Sequence, residues 1–133
     1  MTALPVTPGR TKLLRLTLAT DAVVTAANGL AYLALAPAVS ELLGPGPALL
    51  RAIGAGLLVY GVAVGLLSTR HPIPPSLTWA VIALNAAWPL ASLLTLVTGA
   101  LDLTTAGTFW TIAQALVVAV FGELQFLALR KTR

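Results

Sequence analysis

Residues 13–36 read LLRLTLATDAVVTAANGLAYLALA, an apolar run whose polar side chains recur at a helical spacing. A helix of about 20 residues rises about 30 Å, which matches the hydrocarbon core of a bilayer. Because hydrocarbon offers no water to the backbone amides, a run of this kind forms a helix. The stretch therefore predicts a first transmembrane helix, which ends at Pro37.

Three further apolar runs of similar length follow the first and take up most of the chain. The predicted helices cover about residues 13–36, 48–68, 77–98 and 107–129, and residues 38–47 are predicted to be a loop. The 133 residues are 58% hydrophobic and only 9% charged, which is too few charges for the surface of a soluble domain. The sequence predicts one all-α domain over residues 1–133, an integral membrane bundle of four transmembrane helices in an antiparallel up-down-up-down arrangement.

The placement of lysine and arginine predicts the orientation of the chain. Basic residues precede the first span, connect the second to the third and follow the fourth: Arg10, Lys12, Arg15, Arg70, Arg130, Lys131 and Arg133. All seven fall on one side only if the chain crosses the membrane four times. By the positive-inside rule the N- and C-termini are then cytoplasmic, and the basic residues contact membrane lipids rather than nucleic acid.

Each predicted helix carries one narrow face of polar or small residues. The faces comprise Asp21, Thr25, Asn28 and Tyr32 on the first helix; Arg51, Leu58 and Gly65 on the second; Thr78, Asn85 and Ser92 on the third; and Trp110, Gln114, Phe121 and Gln125 on the fourth. Polar groups that face lipid lose their hydrogen-bond partners, so these faces should meet inside the bundle. We expect two polar layers there, one around Asp21 and one around Arg51.

A carboxylate at membrane depth is a candidate functional group, because inserting one costs roughly 2.5–3.5 kcal/mol. We predict Asp21 as a catalytic acid or base, and a ligand-binding set that comprises Asn28, Tyr32, Arg51, Asn85, Trp88, Gln114 and Gln125. Alternatively, these side chains only hold the helices together, through hydrogen bonds of about 0.6 kcal/mol each. No cofactor or metal is expected, since the chain has no Cys and a single His, whereas metal sites need several such ligands.

Two features predict routes to a homo-oligomer. Gly61 and Gly65 form a GxxxG pattern, which allows helices to approach closely within one bundle or between two copies. Glu123 falls on the face of the fourth helix opposite Gln114. From there it either reaches toward the membrane surface or pairs across an interface.

Four segments resemble small four-helix membrane proteins of actinobacteria. They are DAVVTAANGLAYL (21–33), LLRAIGAGLLVYG (49–61), NAAWPL (85–90) and GTFWTIAQALVV (107–118). The overall plan is similar to that of DoxX-like proteins over nearly the whole chain. The resemblance implies a four-helix bundle in a bacterial cytoplasmic (inner) membrane, and it implies no activity.

Three functional classes remain open. The first is a non-enzymatic protein that binds a lipid-like or small hydrophobic ligand in a polar-lined intramembrane cavity, or that acts as an accessory subunit. The second is a membrane-embedded acid–base enzyme, such as an isomerase or cyclase, that acts on an apolar substrate through Asp21. The third is a proton-coupled exporter of small molecules that works as a dimer. The first class is favoured, because four helices are barely enough for alternating access.

Overall fold

The computed structural model describes residues 8–131, with side chains from residue 11 on, and this part of the chain is an all-α bundle. Its helices are α1 (Pro8–Ala34), α2 (Ala36–Leu43), α3 (Pro47–Ser68), α4 (Pro75–Thr98) and α5 (Thr105–Lys131). All of these except α2 are long and apolar enough to cross a membrane. The predicted fold class, an all-α membrane bundle with four spanning helices, is confirmed.

The observed helices begin earlier than predicted, and both α3 and α4 begin at a proline. Pro47 starts α3 and Pro75 starts α4, positions where a missing N–H leaves no hydrogen bond unmade. Residues 1–7, which precede the first predicted span, lie outside the described residues. The same holds for the side chain of Arg10 and for all of Arg133, two of the basic residues used to predict the orientation. From residue 8 on, the chain is already part of α1.

The predicted loop at residues 38–47 is wrong over much of its length, because residues 36–43 form α2. Pro37 lies in the first turn of α2, where proline is tolerated, and α1 has already ended at Ala34. The helix ends at Gly44, whose φ of 111° lies in a region that favours glycine. Pro37 was interpreted only as a helix breaker, so α2 was not predicted.

Helix α2 packs on the loop between α4 and α5. The Thr104 N–H donates a hydrogen bond of 3.0 Å to the Leu43 carbonyl. The Thr104 hydroxyl donates to the Leu42 carbonyl at 2.6 Å. Gly107 passes so close to Leu43 that a Cβ would overlap the carbonyl oxygen. These contacts close the bundle at the end where α5 begins.

Small residues bring α1 and α3 into close contact. A Cβ at Gly61 would lie 2.8 Å from the Ala26 backbone nitrogen, and one at Gly54 would lie 2.8 Å from the Gly29 carbonyl oxygen. The backbones therefore approach to a distance that a larger residue would prevent. A Cβ at Gly65 would also touch α1, 3.5 Å from a methyl group there. The glycines therefore pack against α1 within the chain, which is one of the two predicted uses of the GxxxG pattern, and a homo-oligomer through Gly61 and Gly65 stays a prediction.

The face of α3 that points inward differs from the predicted one. Its buried residues are Leu50, Gly54, Gly61, Val64, Leu67 and Ser68. Arg51 is exposed, because neighbouring residues on a helix point about 100° apart and the glycine contact fixes the rotation of α3. Arg51 therefore does not lie at the centre of the second predicted polar layer.

The hydrophobic core lies at the end of the bundle where α1 begins and α5 ends. It includes Leu14, Leu18, Val64, Leu67, Ile73, Val81, Ala128 and Leu129. Beyond this core α3 and α4 touch each other at few positions. The fold therefore leaves a gap between these two helices in the middle of the bundle.

Candidate functional site

Polar side chains from α1, α3, α4 and α5 meet in one group, the Asp21 cluster, which consists of Asp21, Thr25, Tyr60, Asn85 and Gln125. Asn85 Nδ2 and Gln125 Nε2 each donate to Asp21 Oδ2 at 2.8 Å. The Thr25 hydroxyl donates to Asp21 Oδ1 at 3.0 Å. Asp21 is 1% exposed and Gln125 is 0% exposed. The structure thus brings three of the predicted site residues into one hydrogen-bonded group.

The Asp21 carboxylate acts only as an acceptor: Thr25, Asn85 and Gln125 all donate to it. Asn85 Nδ2 also donates to Gln125 Oε1 at 2.8 Å, and the Tyr60 hydroxyl donates to Asn85 Oδ1 at 3.1 Å. Both amide oxygens of the cluster are therefore already acceptors, and the donors are directed at the carboxylate. This arrangement replaces water around a carboxylate anion.

A glycine on α5 makes room for the cluster. Gly122 is buried, and a Cβ there would lie 3.1 Å from the Asn85 Cβ. A larger residue would push α5 away from α4 at this level. The absence of a side chain at Gly122 therefore allows Asn85 to reach Gln125, three residues further along α5.

Tyr60 is the cluster member that the sequence reasoning missed. It was overlooked because the inward face of α3 was placed on Arg51 rather than on the glycines. A signal was available, since Gly54 and Gly61 are seven residues apart and share a face. The inward face extends from the glycines toward Val64 and Leu67, and Tyr60, about 100° from Gly61, lies at that edge of it.

A second polar layer lies closer to the α4–α5 loop. Trp110 Nε1 donates to the Tyr32 hydroxyl at 2.6 Å. Trp88 Nε1 donates to Gln114 Oε1, and Gln114 Nε2 donates to Ser92 Oγ at 3.1 Å. Three predicted site residues, Tyr32, Trp88 and Gln114, therefore take part in two hydrogen-bonded groups at this level.

A cavity of about 430 Å³ occupies the gap between α3 and α4, with α1 and α5 behind it. Its wall is mostly apolar, with polar groups from Thr25, Asn28, Tyr32, Tyr60, Asn85, Trp88 and Gln114. Leu84 and Trp88, which line it, are 54% and 36% exposed, so the cavity opens at the side of the bundle. Its size and its few polar groups are typical of a site for a small ligand.

A second cavity of about 270 Å³ adjoins the first toward α2 and the α4–α5 loop. The two cavities share part of their walls, namely Tyr32, Ile53, Trp88, Ala91 and Gln114. The hydrogen-bonded side chains of the second polar layer thus lie between the two spaces.

Asn28 has no partner for its amide among residues 11–131. Its side chain is half-buried and lines the larger cavity. An amide carries two N–H donors and an acceptor oxygen, so Asn28 offers unused hydrogen-bonding capacity at the wall.

Gly56 on α3 lines the same cavity. A Cβ added at Gly56 would meet nothing within 4 Å, so the wall has open space at this position.

The predicted site residues divide into three groups. Five line the larger cavity: Asn28, Tyr32, Asn85, Trp88 and Gln114. Asp21 and Gln125 lie behind the wall, where Thr25, Tyr60 and Asn85 separate the carboxylate from the cavity. Arg51 lines neither cavity. Asp21 therefore lies one side chain behind the cavity wall, hydrogen-bonded to the wall residues Thr25 and Asn85, and its catalytic role stays a prediction.

Comparison with known proteins adds no relative. No protein-family model, curated protein or solved structure matches this chain. Within the described residues, no group of three histidine, cysteine, aspartate or glutamate side chains could hold a metal ion. The function is therefore argued from the geometry of the cavity.

Proposed function

We propose that this membrane protein binds a small hydrophobic or lipid-like ligand in the cavity between α3 and α4. The supporting observation is an apolar space with a side opening and an unpaired amide, Asn28, at its wall. A ligand with an apolar body and one polar or charged group fits such a space, because its body contacts the apolar wall and its polar group interacts with the Asn28 amide at that wall.

The side opening sets the route of entry in this proposal. Leu84 and Trp88 are exposed at the edge of the cavity and lie in the middle of α4, at membrane depth. A ligand dissolved in the bilayer therefore reaches the cavity directly between α3 and α4, without first entering water.

We further propose an up-down-up-down bundle in a bacterial inner membrane, with both termini cytoplasmic. Helix contacts support the arrangement: Arg15, early in α1, hydrogen-bonds to Ser68 at the end of α3, and Tyr32, late in α1, bonds to Trp110 early in α5. The positions of the basic residues support the orientation. The resemblance to DoxX-like actinobacterial proteins supports the bacterial membrane.

Quenching of Trp88 fluorescence tests the ligand proposal. The protein has three tryptophans, so Trp79→Phe and Trp110→Phe leave Trp88 as the only one. We expect 8-bromo-1-octanol, added to this variant in lipid nanodiscs, to quench Trp88 saturably, because the bromine is held beside the ring. Quenching from the bilayer alone would rise in proportion to the bromooctanol content.

Two substitutions on α3 control this experiment. Gly56→Phe adds a ring at the cavity wall, where the Cβ position has nothing within 4 Å, and should abolish the saturable part. Ala55→Phe places the same ring on an exposed position that lines neither cavity and should leave quenching unchanged. Equal, unsaturable quenching in both variants would rule out ligand binding in the cavity.

A further inference from the structure

The Asp21 carboxylate has no cationic partner in the part of the chain that the structure describes. Its hydrogen bonds come from the neutral groups of Asn85, Gln125 and Thr25, and it forms no ion pair. The nearest basic residue along α1, Arg15, is already used. Its guanidinium donates to the carbonyls of Ser68 and Arg70 and contacts His71 Nδ1 at 3.2 Å.

The charge lies one side chain away from the larger cavity. Thr25 and Asn85, which bond directly to the carboxylate, line that cavity, and so does Tyr60, which bonds to Asn85. The rest of the wall is mostly apolar. Because such a wall screens charge far less than water does, a charged group in the cavity interacts strongly with Asp21.

Four aromatic rings give a second, independent indication of the sign of the ligand charge. Tyr32, Tyr60, Trp88 and Phe121 all line the larger cavity. The faces of aromatic rings attract cations, and substituted ammonium groups bind in pockets built from such rings. Among the described residues, no lysine or arginine lines this cavity.

We propose that the ligand is an amphipathic cation, a substituted amine or quaternary ammonium with an apolar body. Its cationic group lies beside Thr25 and Asn85, at the end of the cavity nearest Asp21. Its apolar body extends toward Trp88 and the side opening. This inference rests on the proposed function and specifies its ligand class.

The size of the effect follows from Coulomb's law. Two unit charges about 7 Å apart, at an effective dielectric constant of about 20, change an affinity on the order of 50-fold. A cation should therefore bind on the order of 50 times more tightly than a neutral molecule of the same shape. An anion of similar length should bind more weakly than the neutral molecule.

Competition against bromooctanol quenching of Trp88 measures this preference. The probes are octyltrimethylammonium, its neutral isostere 2,2-dimethyldecane, in which carbon replaces nitrogen, and octyl sulfate as the anion. Each is compared at equal mole fraction in the nanodisc lipid, so that partitioning into the bilayer cancels. We expect the ammonium to displace bromooctanol at a mole fraction tens of times lower than the isostere.

Substitutions locate the source of the preference. Asp21→Asn should bring the ammonium-to-isostere ratio close to one while the isostere still binds. If Asp21→Asn does not fold, Thr25→Lys supplies an ammonium beside the carboxylate and should have the same effect. Glu123→Gln is the matched control, because Glu123 is a carboxylate on an exposed face of α5 and should not affect the ratio.

The outcomes distinguish failure of the cation inference from failure of the proposed function. A preference for the ammonium that disappears with Asp21→Asn or Thr25→Lys supports both. Equal displacement by ammonium and isostere, or a preference that survives both substitutions, overturns the cation inference and leaves the hydrophobic site in place. If bromooctanol shows no saturable quenching at all, both proposals fail.

Discussion

Alanine in place of Gly61 should destabilise the bundle, whereas alanine in place of Gly56 should stabilise it slightly. The two glycines lie five residues apart in the middle of the same helix, so both substitutions make the same chemical change at a similar membrane depth. They differ in what the added methyl group meets. At Gly61 it meets the backbone nitrogen of Ala26 at 2.8 Å and the Ala26 Cβ at 2.9 Å; at Gly56 nothing lies within 4 Å.

The magnitude follows from these distances. Non-bonded carbon atoms pack at about 3.5–4.0 Å, so α1 and α3 would have to move apart by roughly 0.7–1 Å at Gly61. Overpacking of this kind costs about 1–3 kcal/mol, and the better helix propensity of alanine returns up to about 1 kcal/mol. We expect a net loss of about 1–2 kcal/mol for Gly61→Ala and a gain of up to about 1 kcal/mol for Gly56→Ala.

Reversible unfolding by sodium dodecyl sulfate measures both variants. The protein in mixed micelles is titrated with the denaturing detergent and followed by circular dichroism, which yields a free energy of unfolding for each variant. The informative quantity is the difference between the two variants, about 1–3 kcal/mol, because the shared change in helix propensity cancels and the overpacking cost remains. Indistinguishable stabilities would refute the close α1–α3 contact and, with it, the rotation of α3 that turns Tyr60 inward.

Two further predictions concern the Asp21 cluster and the orientation. Gln125→Leu removes one donor from Asp21 and one acceptor from Asn85, so it should lower the free energy of unfolding by about 2–4 kcal/mol in the same titration. The exposed Glu123→Gln should change that free energy by less than about 0.5 kcal/mol. Equal effects of the two substitutions would contradict the buried cluster. The chain has no cysteine, so a single introduced cysteine reports which side of the membrane it faces. In intact cells whose outer envelope is open, Ala100→Cys should react with a membrane-impermeant maleimide, whereas Thr69→Cys should react only after lysis. The reverse pattern would invert the proposed orientation.

Sequence patterns predicted α1, α4 and α5 well because polar residues mark one face of each. Asp21 lies on such a face of α1, Asn85 on that of α4 and Gln125 on that of α5. Against a lipid surround, a lone polar residue identifies the inward face almost by itself. The prediction that these faces meet around Asp21 needed no further information.

Helix α3 could not be oriented in the same way. Its outward face is as apolar as its inward face, so hydrophobic periodicity does not show which side of α3 faces the bundle interior. Arg51 attracted the prediction as the only charged residue of α3, although it lies near the helix end, where a long side chain reaches the membrane surface. The rotation of α3 is determined instead by Gly54 and Gly61, which pack against α1. Their role can be recognised only when the position of α1 is known. The side opening between α3 and α4 also depends on packing rather than on any local pattern.

The hydrogen bond between Gln125 and Asp21 joins residues that are 104 positions apart. During synthesis α1 leaves the ribosome long before α4 and α5 exist, so its carboxylate enters the membrane without Asn85 or Gln125. The helix must therefore be held by its apolar residues and its basic start until the final turns of α5 arrive. A chain that stops short of Gln125 lacks one of the two amide donors to Asp21, so the buried carboxylate acquires its full set of hydrogen bonds only when the last turns of α5 are in place.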